Sequence, residues 1–165
     1  IKIAKSLKEK IKTEKVKLFF SAGIKIEVKN YLLEGIKKIG LGGEINKGIE
    51  IIFSENINNY FSEFNRKLRK TDILWTKPSE LSFYAGLGLP IIIAPSIGSQ
   101  EDFNKKWLLH IGAGFPQGNL EHIDQWLFDS LEGGRLAEGA MQGFVEIEKM
   151  GTYNIERAIT SETPY

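Results

Sequence analysis

Residues 72–104 read DILWTKPSELSFYAGLGLPIIIAPSIGSQEDFN. Asp72 to Thr76 is a short apolar run that reads as a buried strand, and Leu89 to Ala94 reads as a second. Between them a turn opens a short helix from Ser79 to Leu87. After the second strand a polar loop opens another helix. Polar side chains gather at Thr76–Glu80 and at Ser96–Asn104, each just past a strand. Ligands of open parallel sheets bind at the carboxyl ends of the strands. One crevice lined by both clusters is therefore expected.

Upstream, the same alternation continues. Val16 to Ala22 (VKLFFSA) reads as a buried strand ended by Gly23, and Ile49 to Ser54 as another. Residues 26–39 place Ile26, Leu32, Leu33, Ile36 and Ile39 on one side of a helix. Asn56 is suited to cap a helix running to Lys70. The order β-α-β-α-β-α-β predicts an α/β fold, a Rossmann-like open parallel sheet of at least four strands flanked by helices.

Downstream of Asn104 the pattern reads as helical throughout. Three helices are expected, over 100–111, 120–131 and 136–150, with Gly112, Gly114 and Pro116 as breaks after the first. Phe103, Trp107, Leu108 and Ile111 form the expected inward face of the first. Gly139 and Gly143, four apart on the last, permit close helix contact. The expected segments are an amphipathic linker helix over 1–15, a Rossmann-like domain over 16–159, and a flexible tail over 160–165.

Composition narrows the function classes. The chain has 165 residues, 42% hydrophobic and 26% charged, with a net charge of +1, which suits one globular domain. With no cysteine, disulfides, thiolate metal sites and cysteine nucleophiles are excluded. The longest apolar run, Leu87 to Pro95, is too short to span a bilayer, and no secretory signal is visible. A cytoplasmic location is expected. The first 20 residues carry seven lysines against Glu9 and Glu14, a charge that suits an anionic membrane surface through residues 1–17 or else a solvated helix face. A nucleic-acid partner is not expected. Because the chain opens with Ile1, a fragment or a processed product is expected.

The chemistry-bearing residues are few. His110 and His122 lack an H-E-x-x-H pattern or an accompanying carboxylate cluster, so neither a metal nor a cofactor is expected. There is no G-x-S-x-G elbow. The SAGIK turn at 21–25 holds one glycine, unlike a dinucleotide fingerprint or a Walker A loop. Ser79 with nearby backbone N–H groups forms a candidate anion site beside Lys77, which Glu80 opposes; an ordinary capped helix start is the alternative. Gln100, Glu101 and Asn104, with Ser99 and Asp102, suit hydrogen bonds to sugar hydroxyls or, alternatively, a helix cap.

TK-PSELSFYAGLGLP-III followed by IGSQEDFN resembles the C-terminal, donor-binding half of GT-B glycosyltransferases. The nearest likeness is to the group holding the GlcNAc transferase of peptidoglycan synthesis and the diacylglycerol glycosyltransferases. It rests on Thr76-Lys77, Gly88-Leu89-Pro90 and Gln100-Glu101-Asn104, and extends more weakly over Val16–Gly114. The resemblance implies a nucleotide-sugar donor, most simply a UDP-sugar. Gly23, Thr76, Lys77, Ser79, Glu80 and Leu81 would then face the nucleotide and its phosphates, and Gln100, Glu101 and Asn104 the sugar or ribose. It also implies inversion at the anomeric carbon, with the acceptor site and base on a missing N-terminal domain. The chain departs from the family pattern in a shorter turn after Lys77, in Phe83 where a ribose-binding glutamate is usual, and in the missing glycine pair of the first loop. A non-catalytic Rossmann-like binding domain of the same ancestry is the alternative.

Overall fold

A computed structural model describes residues 1–79 and 81–160; the expectations placed on Glu80 and on the tail 161–165 lie outside the described residues. In chain order the elements are α1 (Lys2–Ser6), α2 (Lys8–Lys12), β1 (Leu18–Gly23), α3 (Ile26–Lys38), β2 (Ile49–Phe53), α4 (Ile57–Leu68), β3 (Leu74–Thr76), α5 (Leu81–Gly86), β4 (Ile91–Ile93), α6 (Ser99–His110), β5 (Gly114–Pro116), α7 (Ile123–Glu132), α8 (Arg135–Glu146) and α9 (Gly151–Thr160). They fall into two compact units. The first joins Ile1–Thr71 to Gly118–Gly133, and the second joins Asp72–Gln117 to the residues from Gly134 on. The chain is an α/β protein. Its described strands form a two-stranded and a three-stranded parallel sheet, where one sheet of at least four was expected.

In the first unit β1 and β2 pair in parallel, Leu18 opposite Ile49 through Ser21 opposite Ile52, with an irregularity before Gly23. Their connection carries α3, whose Leu32 and Ile36 are buried. Asn56 caps α4 as its position suggests: Oδ1 accepts from Asn58 N at 2.9 Å and Asn59 N at 3.1 Å. A cap of this kind stabilises a helix by about 1 kcal/mol.

Residues 2–12, expected as a linker, are integral to this unit. Ala4, Leu7 and Ile11 are at most 2% exposed. Ser6 Oγ accepts the Ile123 N–H at 3.1 Å, so a side chain of α1 caps the first turn of α7. Lys8 Nζ donates to Ile39 O at 2.8 Å, placing a cation at the carboxyl end of α3.

The sequence puts Ile57, Tyr60, Phe61, Phe64 and Leu68 on the apolar face of α4; Tyr60, Phe64 and Leu68 are partly buried, but Ile57 and Phe61 are about half exposed, whereas Lys67 is 7% exposed. Lys67 Nζ pairs with Glu50 Oε2 on β2 and lies 5.1 Å from the centre of the Phe19 ring. Lys17 Nζ takes the other Glu50 oxygen at 2.6 Å. A buried ammonium persists when it is paired and when its stem lies on apolar surface. Hydrogen bonds from Lys17 and then Lys67 hold the Glu50 carboxyl below its ordinary range.

In the second unit β4 is the central strand, parallel to β3 on one side and to β5 on the other. Leu74–Thr76 lie opposite Ile91–Ile93, which lie opposite Gly114–Pro116. Ile91, Ile92 and Ile93 are at most 1% exposed, as suits a central parallel strand. Burying each contributes roughly 1.5–3 kcal/mol. Leu81, Ala85, Ile91, Ile93, Leu108 and Ala113 form a core cluster, with Leu74, Tyr84, Ile111 and Ile147 packed on it.

Helix α8 meets this core through its glycines. A methyl group at Gly143 would lie 2.7 Å from the Ala85 carbonyl oxygen, and one at Gly139 would lie 2.6 Å from the Phe115 ring. The four-residue spacing thus serves close backbone approach, as expected.

Three expectations need correction. Residues 114–116 form a strand, although Gly114 and Pro116 read as helix breaks. A three-residue strand with glycine and proline at its ends has too few side chains to display a period. Phe103 and Trp107 are 70% and 40% exposed, while Leu108 is fully buried. The inward row of α6 runs through Asn104, Leu108 and Ile111, one position away from the bulkier aromatics. Finally, α8 ends at Glu146 and a further helix, α9, follows over Gly151–Thr160.

Candidate functional site

The turn after β3 and the loop before α6 meet in the second unit. Thr76 ends β3, and its carbonyl accepts Ala94 N at 2.9 Å, so the two strands leave the sheet side by side. Asn104, one turn into α6, donates from Nδ2 to Pro78 O at 2.9 Å and to Ser79 O at 3.3 Å. Pro78 is fully buried, whereas Lys77 and Ser79 on either side of it are exposed. Ser79 N donates back to Lys77 O at 2.8 Å, closing a tight turn about the proline. The two clusters that flank the strand ends are thereby tied together.

Glu101 and Asn104, both expected to face a sugar or ribose, have local partners. Glu101 Oε2 accepts Ile97 N at 2.7 Å, closing the loop ahead of α6 in the way an N3 glutamate closes a capping box. Gln100 is exposed on the same turn. Leu81 is 2% exposed and belongs to the core cluster, so its side chain supports the turn from beneath. Helix α5 spans only Leu81–Gly86, shorter at each end than the expected 79–87. Phe83 is 61% exposed on it, with its ring edge-on to Tyr84 at 5.3 Å.

Gly23 belongs to the first unit, and the seven other described candidate residues belong to the second. Its φ is +64°, and a methyl group there would meet nothing within 4 Å. The turn after β1 is therefore open, and glycine suits it conformationally. Glu80 lies outside the described residues.

Of two further polar groups in this region, the sequence marks Ser96 only as the start of a cluster and Gln117 not at all. Ser96 Oγ, in the loop after β4, is buried and has no hydrogen-bond partner among the described residues. A buried hydroxyl left unsatisfied costs about 1–3 kcal/mol, and such groups often await a water or ligand. Trp75 Nε1 donates to Gln117 Oε1 at 3.1 Å, joining the ends of β3 and β5. No signal marked Gln117, because its strand was not recognised.

The lysine-rich N-terminal segment has structural partners of its own. Besides Lys8 and Lys17, Lys12 pairs with Glu9 at 3.4 Å and Lys10 lies 4.4 Å from the centre of the Phe128 ring. The apolar row Ala4, Leu7 and Ile11 is buried, which leaves lysine heads and not an apolar stripe at the surface.

Among the described residues no group of three or more His, Asp or Glu side chains is placed to hold a metal ion. No described helix is long and apolar enough to cross a membrane. The polar groups past the ends of β3 and β4 are hydroxyls, one ammonium, amides and the carboxylates of Glu101 and Asp102. That chemistry suits an anionic, hydroxyl-rich ligand. Comparisons with protein-family models, curated proteins and solved structures find no match to this chain.

Proposed function

We propose that the chain is the donor-binding half of a nucleotide-sugar-dependent glycosyltransferase, with a UDP-sugar as its simplest donor and a Rossmann-like sheet as its scaffold. The observation that carries this reading is Asn104 bridging α6 to Pro78 and Ser79, which brings two polar strand-end clusters together at adjacent parallel strands. In this reading Thr76, Lys77 and Ser79 face the diphosphate, with Lys77 supplying the cation. Gln100 and the remaining oxygen of Glu101 face the sugar or ribose. Catalysis would consist mainly of positioning the donor and stabilising the leaving diphosphate. The acceptor site and base belong to a partner N-terminal domain, and a cytoplasmic location with contact to an anionic membrane completes the proposal.

A second reading is favoured by two observations. Glu101 and Asn104 are already engaged in hydrogen bonds within the chain, and Phe83 is exposed where a ribose-binding carboxylate would be wanted. In this reading the domain keeps the scaffold and has lost the donor site.

Isothermal titration of the folded chain with UDP, UDP-glucose and UDP-GlcNAc separates the two. The donor reading expects binding by at least one of them and about a tenfold weakening in Lys77→Ala, the loss of one charge-assisted contact. Silence from all three ligands would sink the donor reading and leave the second.

A further inference from the structure

We infer that Asn104 is a positioning residue for the crevice and not one of the groups that touch a sugar; its ligand-related part rests on the donor reading above. Its carboxamide nitrogen donates to two successive backbone carbonyls, Pro78 O and Ser79 O, from a helix 25–26 residues further along the chain. Those carbonyls belong to the turn that carries the exposed Lys77 and Ser79 side chains.

A carbonyl oxygen repels an anion. Drawing both of these carbonyls towards α6 keeps their negative ends off the face where Lys77 and Ser79 stand. Pro78, fully buried between the two, gives the turn a fixed φ and anchors it to the interior. Ser79 N, donating to Lys77 O at 2.8 Å, closes the same turn. The amide of Asn104 thus sets the shape and the electrostatic sign of this floor.

Residue type at 104 follows from this. Two acceptors need a donor pair from one short, neutral side chain, and the carboxamide of asparagine supplies it. Aspartate has the same shape but only acceptors when ionised, so it would push both carbonyls away. Leucine has a similar volume and no donor. Glutamine keeps the donor on a longer arm.

Hydrogen exchange and titration on the whole chain test the inference. Without ligand, Asn104→Leu is expected to raise amide exchange in residues 77–87 about tenfold while residues 18–53 stay unchanged, and Asn104→Asp to raise it further. Asn104→Gln is expected to recover part of the protection. With ligand, Asn104→Leu is expected to weaken UDP and UDP-glucose by the same factor, because the disturbed part is the turn they share. Unchanged exchange in residues 77–87 would overturn the inference, and so would a loss confined to UDP-glucose, the mark of direct sugar contact. If the parent chain binds none of these ligands, the donor reading fails by itself, and the exchange result alone decides whether Asn104 holds the turn.

Discussion

The two units use the same βα materials and hold them together differently. In the first, charged side chains are ties: Lys8 closes the end of α3, Lys17 and Lys67 share Glu50, and Lys10 covers Phe128. In the second, the central strand is three fully buried isoleucines, and α8 approaches through glycines. Their charge follows suit. The first unit carries sixteen basic against twelve acidic residues in sequence, and the second six against nine. Polar groups spent on structure in the first unit are, in the second, collected at strand ends.

Truncating the central strand tests the contrast most severely. Ile91→Ala should destabilise the second unit by about 2–5 kcal/mol, the cost of emptying a fully buried site. Amide exchange should show the loss across residues 72–117. If the loss were equally large in residues 18–53, the distinction between the two cores would fail.

A smaller effect is expected where the approach is closest. Gly143→Ala puts a methyl group 2.7 Å from the Ala85 carbonyl oxygen, and that neighbour is backbone. A loss of about 1–3 kcal/mol in urea unfolding is expected, with α5 and α8 losing protection together. A neutral or stabilising result would mean that the small-residue contact is looser than described.

The smallest effect concerns the ties of the first unit, and it depends on pH. Glu50 titrates below its ordinary value of about 4.5 because Lys17 and Lys67 donate to its charged form. Its contribution is therefore fully present above that pH and is lost as the pH falls through the lowered value. Glu50→Gln should cost roughly 1–2 kcal/mol at pH 7, mostly by leaving Lys67 buried beside a weaker partner. In urea titrations the difference between parent and variant should narrow as the pH falls through that lowered value. A difference that stays constant down to acid unfolding would remove the ionic account.

Much of this was readable in the chain, and what was not has identifiable causes. The apolar runs at 16–22, 49–54, 72–76 and 89–94 each hold a strand, and Asn56 caps the helix it precedes. Helix faces were harder. On α4 Lys67 is buried while Phe61 is exposed, because a paired ammonium with an apolar stem can take a place in a packed face; on α6 the inward row runs through Leu108 and leaves Phe103 and Trp107 exposed. Strand β5 escaped because Gly-Phe-Pro displays no alternation. The polar residues at 76–79 and 96–104 were found as clusters, but their division of labour was not legible. Only three-dimensional contact shows that Glu101 closes its own loop and that Asn104 faces backbone carbonyls.

The proline that ends β5 bears on how the protein behaves in a crowd of its own copies. Gln117 N donates to Ile93 O at 3.0 Å, so by strand alternation the backbone nitrogen of Pro116 faces away from β4. That nitrogen carries no hydrogen. Of the two residues whose nitrogens face that way Gly114 is buried and Pro116 exposed, so the exposed one has no donor to give an extended segment from another molecule. Such a blunted margin guards against self-templated aggregation, and it costs the fold nothing in side-chain packing.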